Sequence, residues 1–395
     1  MDAMPREQLV AGAAPRVAMV AGEASGDLLA GLLLDGLQAR WPGLYASGIG
    51  GPNMARRGFV AHWPSDKLAV HGYNFDVFCR LRELLGIRKT LRQRWLKERP
   101  DVFIGVDAPD FNLGLEAALK SGGVPTVHFV CPSIWAWRAE RVLKIKRSAN
   151  HVLCIFPFEL ELLAQHGVPA TYVGHPLASV IPMVADRSAA RQVLGLSGAD
   201  TVVAILPGSR QSEVNYLAFR FFQAAAVVFK SSSAIKFIVP AVPRLRASIE
   251  AAARRAGMFD HVQIVDGQSH TVLAACDVTL IASGTATLEA ALFKRPMVIA
   301  YRMHWLSWRL MRRKQLQPWV GLPNILCREF VVPELLQNDA TPQALAAGVL
   351  AWLQAKTDQP ENAAALTARF TELHLTLRRD TARLATDAIQ KILEG

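Results

Sequence analysis

Residues 277–289 read D-V-T-L-I-A-S-G-T-A-T-L-E and contain, in order, an apolar run, a turn of small residues and the start of a helix-forming stretch. The run at 278–281 is typical of a buried strand, and the composition of 286–293 favours a helix. Where a strand leads through a tight turn into a helix, the unpaired N–H groups and the dipole of the helix attract anions. The turn at 283–285 is therefore a candidate site for a phosphate or a diphosphate.

Glu289 lies one helical turn beyond this phosphate-type turn. A carboxylate at that point cannot bind phosphate, but it can accept hydrogen bonds from the hydroxyls of a sugar. A phosphate at the turn and a sugar diol at the carboxylate together describe a nucleotide. The alternative is an ordinary strand–turn–helix unit in which a Ser or Thr caps the helix, and this stretch alone does not separate the two.

A similar unit precedes it in the chain. The apolar run at 201–206 is a candidate strand, the turn P-G-S-R follows at 207–210, and a helix is predicted from about 211 to 229. Arg210 could bind a diphosphate through its forked N–H groups, and Ser209 lies beside it. The second half of the chain thus contains two phosphate-type turns.

The first half of the chain repeats the pattern with acidic turns. A strand predicted at 16–21 is followed by G-E-A-S-G-D at 22–27 and by a predicted helix from 28 to about 41. This turn is not the G-x-G-x-x-G of dinucleotide-binding proteins, and its carboxylates would repel a pyrophosphate. Carboxylates suit sugar hydroxyls better, although capping of a helix is the alternative role for Asp27.

A second acidic turn, D-A-P-D-F-N at 107–112, follows the strand predicted at 101–106. In open α/β sheets the carboxyl ends of the strands line the ligand crevice. Asp107 and Asp110 are therefore candidate general bases, and the alternative for each is an aspartate that caps the following helix.

The net charge of +11, from 44 basic and 33 acidic residues, is concentrated in two segments. Residues 80–99 contain eight basic side chains against two acidic ones, and residues 302–314 contain five against none. Such segments indicate a nucleic acid, an anionic membrane or a phosphorylated substrate. The sequence contains no helix-turn-helix, RNA-recognition or zinc-finger signature, so we expect no nucleic-acid partner.

Residues 75–98 are predicted to form one amphipathic helix, or two shorter helices broken near Gly86. The apolar residues recur at three-to-four spacing with arginines and lysines between them. The helix could bury its apolar face in a protein core, or it could lie in a membrane interface where its basic residues meet anionic headgroups. The apolar positions are Phe78, Leu81, Leu84, Leu85, Leu91 and Trp95.

The five cysteines lie far apart without a C-x-x-C pair, and no H-x-x-x-H pair occurs. We therefore predict a reducing compartment and no metal site. No uncharged apolar run reaches about 18 residues, so we expect no transmembrane helix. Residues 1–15 are expected to be a loose extension rather than a signal peptide.

Two successive α/β units, with phosphate-type turns mainly in the second, predict the GT-B glycosyltransferase architecture: two Rossmann-like domains that face each other across a cleft. In this plan the acceptor binds to the first domain and the nucleotide sugar to the second. The predicted domains are 16–177 and 178–365, followed by a C-terminal helix at 366–395 that could pack back on the first domain. The absence of D-x-D suits GT-B enzymes, in which helix dipoles and basic side chains replace a metal.

In its ordered set of motifs the chain resembles one family, the lipid-A-disaccharide synthases. The matching motifs follow the family's order from Val17 onward; any one of them is weak, and the ordered set is specific. They are G-E-A-S-G-D (22–27), V-D-A-P-D-F-N (106–112), C-P-S-I-W-A-W-R (131–138), G-H-P-L (174–177), L-P-G-S-R-x-x-E-V (206–214), A-S-G-T-A-T-L-E (282–289), Y-R-M (301–303) and L-P-N-I-L (322–326).

The resemblance implies an inverting transfer that joins UDP-2,3-diacylglucosamine to the primary hydroxyl of 2,3-diacylglucosamine 1-phosphate (lipid X) and releases UDP. The family acts without a metal or another cofactor, so none is expected here. It works at the cytoplasmic face of the inner membrane of Gram-negative bacteria, where it is peripherally bound. Exchange of the C-terminal part between subunits in this family makes a homodimer a further expectation.

The family's catalytic aspartate matches Asp107, which the resemblance makes the general base in preference to Asp110. Arg210 is implied to stabilise the departing diphosphate. Glu289 is implied to hold the ribose hydroxyls, and Asn324 to contact the nucleotide or help to close the cleft. The further residues expected at the diphosphate are Ser209, Ser283, Gly284 and Thr285.

Glu23 and Ser25 are expected to line the acceptor side, together with Asp110. Because both lipid substrates lie in or near a bilayer, the resemblance favours membrane binding by the helix at 75–98 and by the basic, tryptophan-rich segment at 302–319. The expected contacts with membrane or acyl chains are Phe78, Leu81, Leu85, Arg88, Trp95, Trp305, Trp308 and Arg312.

Two alternatives remain open on the sequence. One is a GT-B enzyme with a different substrate, either a transferase that acts on a polyprenyl-linked sugar or a UDP-sugar epimerase. The other is a basic α/β protein that binds nucleic acid and has no affinity for UDP.

Overall fold

The computed structural model describes residues 14–64, 75–135 and 140–394, with the exception of the side chains of residues 23, 24 and 75–81. These residues form two units. The first comprises the described residues up to Ser179 together with those from Leu377 onward, and the second comprises Val180–Thr376. The chain thus leaves the first unit and returns to it at its end, with divisions at 180 and 377 where we predicted 178 and 366.

The first unit is built on a parallel sheet whose described strands run in the order β3-β2-β1-β4-β5-β6-β7. The strands are β1 (Arg16–Ala21), β2 (Tyr45–Gly50), β3 (Val60–Pro64), β4 (Val102–Val106), β5 (Thr126–Phe129), β6 (His151–Cys154) and β7 (Ala170–Tyr172). Their helices are α1 (Glu23–Arg40), α2 (Pro52–Ala55), α3 (Phe75–Glu98), α4 (Pro109–Ser121), α5 (Arg141–Ser148), α6 (Glu159–Ala164) and α7 (Pro176–Val180).

The second unit is built on a parallel sheet in the order β10-β9-β8-β11-β12-β13. The strands are β8 (Val202–Leu206), β9 (Lys236–Ala241), β10 (Val262–Asp266), β11 (Val278–Ala282), β12 (Met297–Tyr301) and β13 (Glu334–Leu336). The helices are α8 (Arg187–Val193), α9 (Gln211–Ser231), α10 (Arg246–Arg255), α11 (Ser269–Ala275), α12 (Thr285–Leu292), α13 (Trp305–Lys314), α14 (Leu322–Cys327), α15 (Pro342–Asp358) and α16 (Pro360–Leu377). Short 3-10 turns occur at Pro243–Leu245 and Phe259–His261.

The central strands β4, β8 and β11 are buried along their whole length. This is typical of parallel sheets that are covered by helices on both faces, and it explains why these strands read as continuous apolar runs. The strands β2, β3 and β13 lie further from the centre. β2 reads Y-A-S-G-I-G and has little strand propensity of its own, so its pairing with β1 gives it its structure.

Two helix predictions are modified by the structure. The helix α1 starts at Glu23 rather than near Leu28, because Gly22 is extended and the S-G-D segment already has helical geometry. The helix α3 runs unbroken through Gly86, which is exposed. A final helix, α17 (Thr381–Glu394), packs on α1 in the first unit, where the guanidinium of Arg40 lies 2.5 Å from the carboxylate of Asp387.

Candidate active site

Both sheets reverse their strand order beside the first strand of the unit. In the first unit the reversal lies between β1 and β4, and in the second it lies between β8 and β11. The loops after the carboxyl ends of such strand pairs form the ligand crevice of doubly wound sheets. The motifs singled out from the sequence follow these same four strands, so each unit brings its own predicted site residues to one edge.

Asp107 follows β4 directly, in an unusual backbone conformation. Its φ angle is 52° and that of Ala108 is 42°, so two successive residues other than glycine are left-handed. This conformation costs each of them roughly 1–2 kcal/mol. The turn keeps it because the N–H of Asp107 donates to the carbonyl oxygen of Phe129 at 2.9 Å and its own carbonyl accepts from the Asn112 side chain at 2.8 Å. Backbone strain of this kind is typical of functional sites.

Asn112 is fully buried and ties the turn to the sheet. Its amide also lies 3.3 Å from the carbonyl oxygen of Val20 and 3.4 Å from that of Val106. These carbonyls belong to β1 and β4, so one side chain spans the point where the strand order reverses. Asn112 lies in the motif at 106–112, and its role could not be predicted from the sequence.

Near Asp107 lies a buried acid–base pair that the sequence did not predict. Nδ1 of His128 is 2.7 Å from Oε1 of Glu116, and neither side chain is exposed. Burial opposes the charge on His128, but the Glu116 carboxylate outweighs this and Asp107 adds to it, so the pKa of His128 lies above its ordinary value. Gly105 leaves room for the pair, since a Cβ at that position would lie 2.1 Å from the Glu116 carboxylate.

The other candidate site residues of the first unit are either exposed or bonded within the protein. Asp110 is exposed and forms a 2.7 Å ion pair with Arg141, and Ser25 is also exposed. The side chain of Glu23 lies outside the described residues. Asp27 is buried and accepts the backbone N–H groups of Gly51, Asn53 and Met54 at 2.8–3.1 Å. It therefore caps α2 and not its own helix.

The loop at 131–138 is described as far as Trp135, which is half-buried. The ring of Trp135 packs edge-on against Phe158, and its Nε1 donates to the carboxyl of Glu159 at 3.2 Å. Burial of Glu159 raises its pKa to about 8, against the hydrogen bonds from the Phe156 N–H and Trp135. The described part of this loop is thus anchored on the carboxyl group of Glu159.

In the second unit, the turn after β8 is held by a carboxylate. Oε2 of Glu213 accepts the backbone N–H groups of Ser209 at 2.9 Å and Arg210 at 3.1 Å, and Oε1 lies 3.2 Å from the Arg210 guanidinium. Gly208 permits this, because its φ is +124° and a Cβ there would approach that of Glu213 to 2.4 Å. A diphosphate at this turn would therefore meet the exposed Arg210 side chain and the Ser209 hydroxyl rather than these two N–H groups.

A second guanidinium lies beside this turn. Arg244, in the 3-10 turn after β9, donates to the carbonyl oxygen of Ser209 at 2.9 Å. Its position just after a strand's carboxyl end was the sequence signal that could have identified it. Arg210 and Arg244 together make this edge of the sheet basic.

The turn after β11 leads into α12 as predicted, with Gly284 at the position before the helix. Both donors of Ser283 are used within the protein: its N–H donates to the Ala300 carbonyl at 2.9 Å and its hydroxyl to the Val320 carbonyl at 3.2 Å. Gly284 and Thr285 are exposed and remain the candidate donors to a phosphate at this turn.

Glu289 is half-buried on α12, where its carboxylate lies 3.3 Å from Nε2 of His270. His270 is in the first turn of α11, and its ring packs against Phe293. The pair combines an acceptor with a side chain that can donate or accept, which suits vicinal hydroxyls. His270 could not be predicted from the sequence, because a single histidine without a motif carries no signal.

The side chain of Asn324 is turned into the protein, and its contact with the nucleotide or its part in closing the cleft stays a prediction. Asn324 is fully buried, and its amide donates to the Val332 carbonyl and the Glu334 carboxylate, both at 2.8 Å, while its oxygen accepts the Val332 N–H. Glu334 also accepts the N–H groups of Val320 and Gly321 at 2.8 Å. Asn324 and Glu334 therefore hold the segment before α14 in place.

Some of the predicted membrane contacts are buried and others are exposed. Trp95 is only 1% exposed and packs on Phe103 with ring centroids 5.2 Å apart, so it is a core residue and the prediction for it is wrong. Arg88 is half-buried, with its guanidinium beside Gly114 of α4. Leu85 is 46% exposed and remains available. The side chains of Phe78 and Leu81 lie outside the described residues.

On α13 the predicted contacts Trp305 and Arg312 are exposed, whereas Trp308 is half-buried near Tyr301. Among the described residues, no group of three or more His, Cys, Asp or Glu side chains is arranged to hold a metal ion. No helix in the described ranges is long and apolar enough to cross a membrane.

Comparison with known proteins identifies the family and the fold of the chain. The model of the lipid-A-disaccharide synthetase family matches residues 17–389. The lipid-A-disaccharide synthase of Albidiferax ferrireducens is 70% identical over 380 residues, which cover 96% of this chain and 98% of that protein. The enzyme of the same name from Verminephrobacter eiseniae is 68% identical over 378 residues, which cover 96% and 97%.

Solved structures share the fold at low sequence identity. The UDP-GlcNAc 2-epimerase from Neisseria meningitidis bound to UDP-GlcNAc aligns with a TM-score of 0.64 at 10% identity, over 96% of this chain and 99% of that one. MurG from Acinetobacter baumannii aligns with a TM-score of 0.54 at 15% identity, over 95% and 100%. These similarities and the two parallel sheets confirm the two Rossmann-like domains of the predicted GT-B fold. The match along almost the whole sequence shows that the chain belongs to the lipid-A-disaccharide synthetase family.

Proposed function

We propose that this chain is the glycosyltransferase of lipid A biosynthesis that joins UDP-2,3-diacylglucosamine to 2,3-diacylglucosamine 1-phosphate and releases UDP. The observation that carries the proposal is the family match over residues 17–389, together with relatives of this name at up to 70% identity. The acidic turns of the first unit suit an acceptor sugar, and the basic turns of the second suit the diphosphate of the donor.

In this proposal Asp107 is the general base. The primary hydroxyl of the acceptor attacks the anomeric carbon of the donor, its proton passes to the Asp107 carboxylate, and the bond from that carbon to the UDP oxygen breaks. Base catalysis requires the carboxylate within hydrogen-bond reach of the hydroxyl. The backbone N–H and the carbonyl of Asp107 are both hydrogen-bonded, which fixes the backbone from which the carboxylate extends. This supports the role of Asp107 as the base.

Charge develops on UDP as it leaves. Arg210 and Arg244 are the guanidinium groups beside the turn after β8, and Gly284 and Thr285 stand at the start of α12. We assign these groups to the diphosphate, and no metal or other cofactor is required in the step. One well-placed donor to the developing charge typically contributes about 3–4 kcal/mol of barrier lowering.

The Glu289–His270 pair is assigned to the ribose hydroxyls of UDP. Both side chains are close enough to bind adjacent oxygens, since their polar atoms are 3.3 Å apart. A UDP complex in which the ribose contacts neither side chain would contradict the assignment.

Asn112 and the Glu116–His128 pair act as positioning residues in this proposal. They are buried and have no access to substrate, but they surround the strand ends from which Asp107 projects. The His128–Glu116 pair places a histidine of raised pKa behind the base without exposing it to water.

Mass spectrometry of the products tests the proposal directly. With both lipid sugars as substrates, the wild-type protein should form the tetraacyl disaccharide phosphate and UDP, and Asp107→Ala should remain folded and form neither. UDP-N-acetylglucosamine offered in place of the acylated donor separates this activity from that of other GT-B enzymes. Turnover of that donor alone, or full activity of Asp107→Ala, would contradict the proposal.

We further propose that the chain binds peripherally to the cytoplasmic face of the inner membrane through α13. Trp305, Leu306 and Leu310 are 66%, 49% and 57% exposed on this helix. The same helix ends in Arg312, Arg313 and Lys314. Exposed aromatic and aliphatic side chains next to basic ones are the features of helices that lie in a membrane interface.

Sedimentation with vesicles tests this surface. Trp305→Ser combined with Leu310→Ser should weaken binding to vesicles that contain anionic lipid. The matched control is Leu375→Ser, which removes a similarly exposed apolar side chain from α16. Equal losses in the control and in the α13 variant would contradict the assignment. The exchange of C-terminal segments between two chains stays a prediction, and the α1–α17 contact is the one that such an exchange would replace.

A further inference from the structure

The second unit contains a pocket of about 430 Å³ that the proposed reaction does not use. It lies between α9, the end of α10, the residue after β12 and the loop from β13 to α15. Its charged and amide side chains are Asn215, Arg220, Gln223, Arg255, Arg302 and Asn338. No residue of the turns after β8 and β11, and none of α12, lines it.

The pocket carries a net positive charge, because its lining contains three arginines and no acidic residue. Each arginine is held by a neutral partner. Arg302 donates to the Gln337 carbonyl at 2.8 Å, Arg220 donates to the Tyr216 carbonyl at 2.9 Å, and the Arg255 guanidinium lies 3.9 Å from the centre of the Phe219 ring. Within the described ranges none of the three forms an ion pair, so most of their N–H groups remain available.

The positive charges of Arg220 and Arg302 repel each other. Arg220 is half-buried, and its pKa is lowered by burial and by the charge of Arg302. A neighbouring like charge in a partly desolvated site raises the free energy of the charged form. An anion placed between the guanidinium groups would remove that repulsion and supply their missing acceptors.

The shape and chemistry of the pocket indicate the class of ligand. Guanidinium forks match the oxygens of a phosphate in bidentate fashion. The volume lies in the range of sites for small organic molecules, and the amides of Asn215, Gln223 and Asn338 can bind hydroxyls. We propose that this pocket binds a phosphorylated sugar, with the phosphate on the three arginines and the hydroxyls on the amides.

The phosphorylated sugar could be free or could be the headgroup of a glycolipid, because both present the same groups to the pocket. The proposal is independent of the assignment of UDP to the turns after β8 and β11. It is therefore tested with UDP present at saturation, so that the donor site is occupied throughout.

Two neighbouring arginines on α10 provide a matched pair of variants. Arg255 stacks on Phe219 and lines the pocket, whereas Arg254 stacks on Phe259 at 3.3 Å and does not line it. The full-length protein is titrated with glucose 1-phosphate, inorganic phosphate and glucose by calorimetry. We expect glucose 1-phosphate to bind most tightly, Arg255→Gln to weaken it about tenfold, and Arg254→Gln to leave it unchanged.

Arg220→Lys provides a second variant, since it keeps the charge and removes the fork; it should also weaken glucose 1-phosphate. Phosphatidylcholine vesicles with and without diacylglucosamine 1-phosphate distinguish the two sources. A loss of vesicle binding by Arg255→Gln only when the glycolipid is present identifies the headgroup, and a loss confined to the soluble sugar phosphate identifies the free ligand.

The proposal is overturned if Arg255→Gln and Arg220→Lys bind glucose 1-phosphate as the wild type does. It is also overturned if glucose 1-phosphate binds without UDP but not at saturating UDP, because the sugar phosphate would then occupy the donor site. Failure of Asp107→Ala to stop turnover would affect the proposed reaction and would leave this result unchanged.

Discussion

Replacement of Asn112 by alanine tests whether a buried amide holds the turn that carries Asp107. The amide makes one hydrogen bond of ordinary length, to the Asp107 carbonyl at 2.8 Å, and two long ones to Val106 and Val20 at 3.4 and 3.3 Å. Loss of the first, with the carbonyl left buried, costs about 1–3 kcal/mol, and the long contacts add about 1 kcal/mol. The Asn112 Oδ1 atom has no partner among the described residues, so its removal offsets part of this loss.

We therefore expect the free energy of unfolding to fall by about 2–3 kcal/mol. The effect on turnover should be of similar size in free energy, since a 100-fold loss of rate corresponds to about 2.7 kcal/mol. Asp107 and Ala108 are left-handed, and without the amide they can relax towards an ordinary conformation and carry the carboxylate with them. A displacement of about 1 Å at a catalytic group can lower the rate about 100-fold. The expected result is a loss of that size in kcat with a smaller change in KM.

Asn150→Ala is the matched control. Oδ1 of Asn150 accepts the N–H and hydroxyl of Thr126, both at 3.0 Å, at the amino edge of the same sheet. It should lose about 1–3 kcal/mol of stability and keep its kcat. The assays are UDP release at saturating lipid sugars and urea unfolding. If Asn112→Ala lost stability as Asn150→Ala does but retained its kcat, the argument that the amide positions the base would be refuted.

Three further predictions follow from buried or strained groups. The raised pKa of His128 means that the folded chain binds its proton more tightly than the unfolded chain does, so this stabilisation is complete below about pH 6.5 and is lost as the pH rises through the folded-state pKa. The free energy of unfolding, measured in urea, should decrease by at most about 1.4 kcal/mol per pH unit above pH 6.5. The same pH dependence in Glu116→Gln would argue against the pair. Gly208→Ala should weaken UDP binding measured by calorimetry, because its methyl group would displace Glu213 and open the turn; unchanged affinity would show that the turn tolerates it. Asn324→Ala should lower the midpoint of thermal unfolding while UDP affinity in the folded protein stays the same, and a selective loss of affinity would support the predicted nucleotide contact.

The helix α3 shows where a periodic pattern stops being informative. Apolar residues at three-to-four spacing are expected both for a helix against a core and for a helix in a membrane interface. Trp95 has the same place in the pattern as its apolar neighbours, yet it packs against Phe103 on the neighbouring strand β4. The residues that cover a helix face come from distant parts of the chain, and the pattern of the helix itself does not contain them.

Asn324 and Asp27 show the same limit for polar residues. Each lies in a motif that resembles a functional site, and each has its hydrogen bonds taken by backbone groups of the protein. Glu116 and His128 show the converse, because they carry no motif signal and yet form a buried pair across α4 and β5 beside the candidate base. Whether a polar side chain faces a ligand or the protein depends on which partners folding brings to it.

The sequence by itself determined that the chain forms two parallel α/β units with candidate functional turns after β1, β4, β8 and β11. It could do so because a strand buried on both faces must be apolar along its length, and the turn after it must be built from small or polar residues. Tertiary structure alone decided the partners of those turns: Asn112 under Asp107, Glu213 within the turn at 207–210, and His270 beside Glu289. Hydrogen bonds and burial arise between residues far apart in the chain, so the environment that sets the chemistry of each side chain exists only after the sheets and helices have packed.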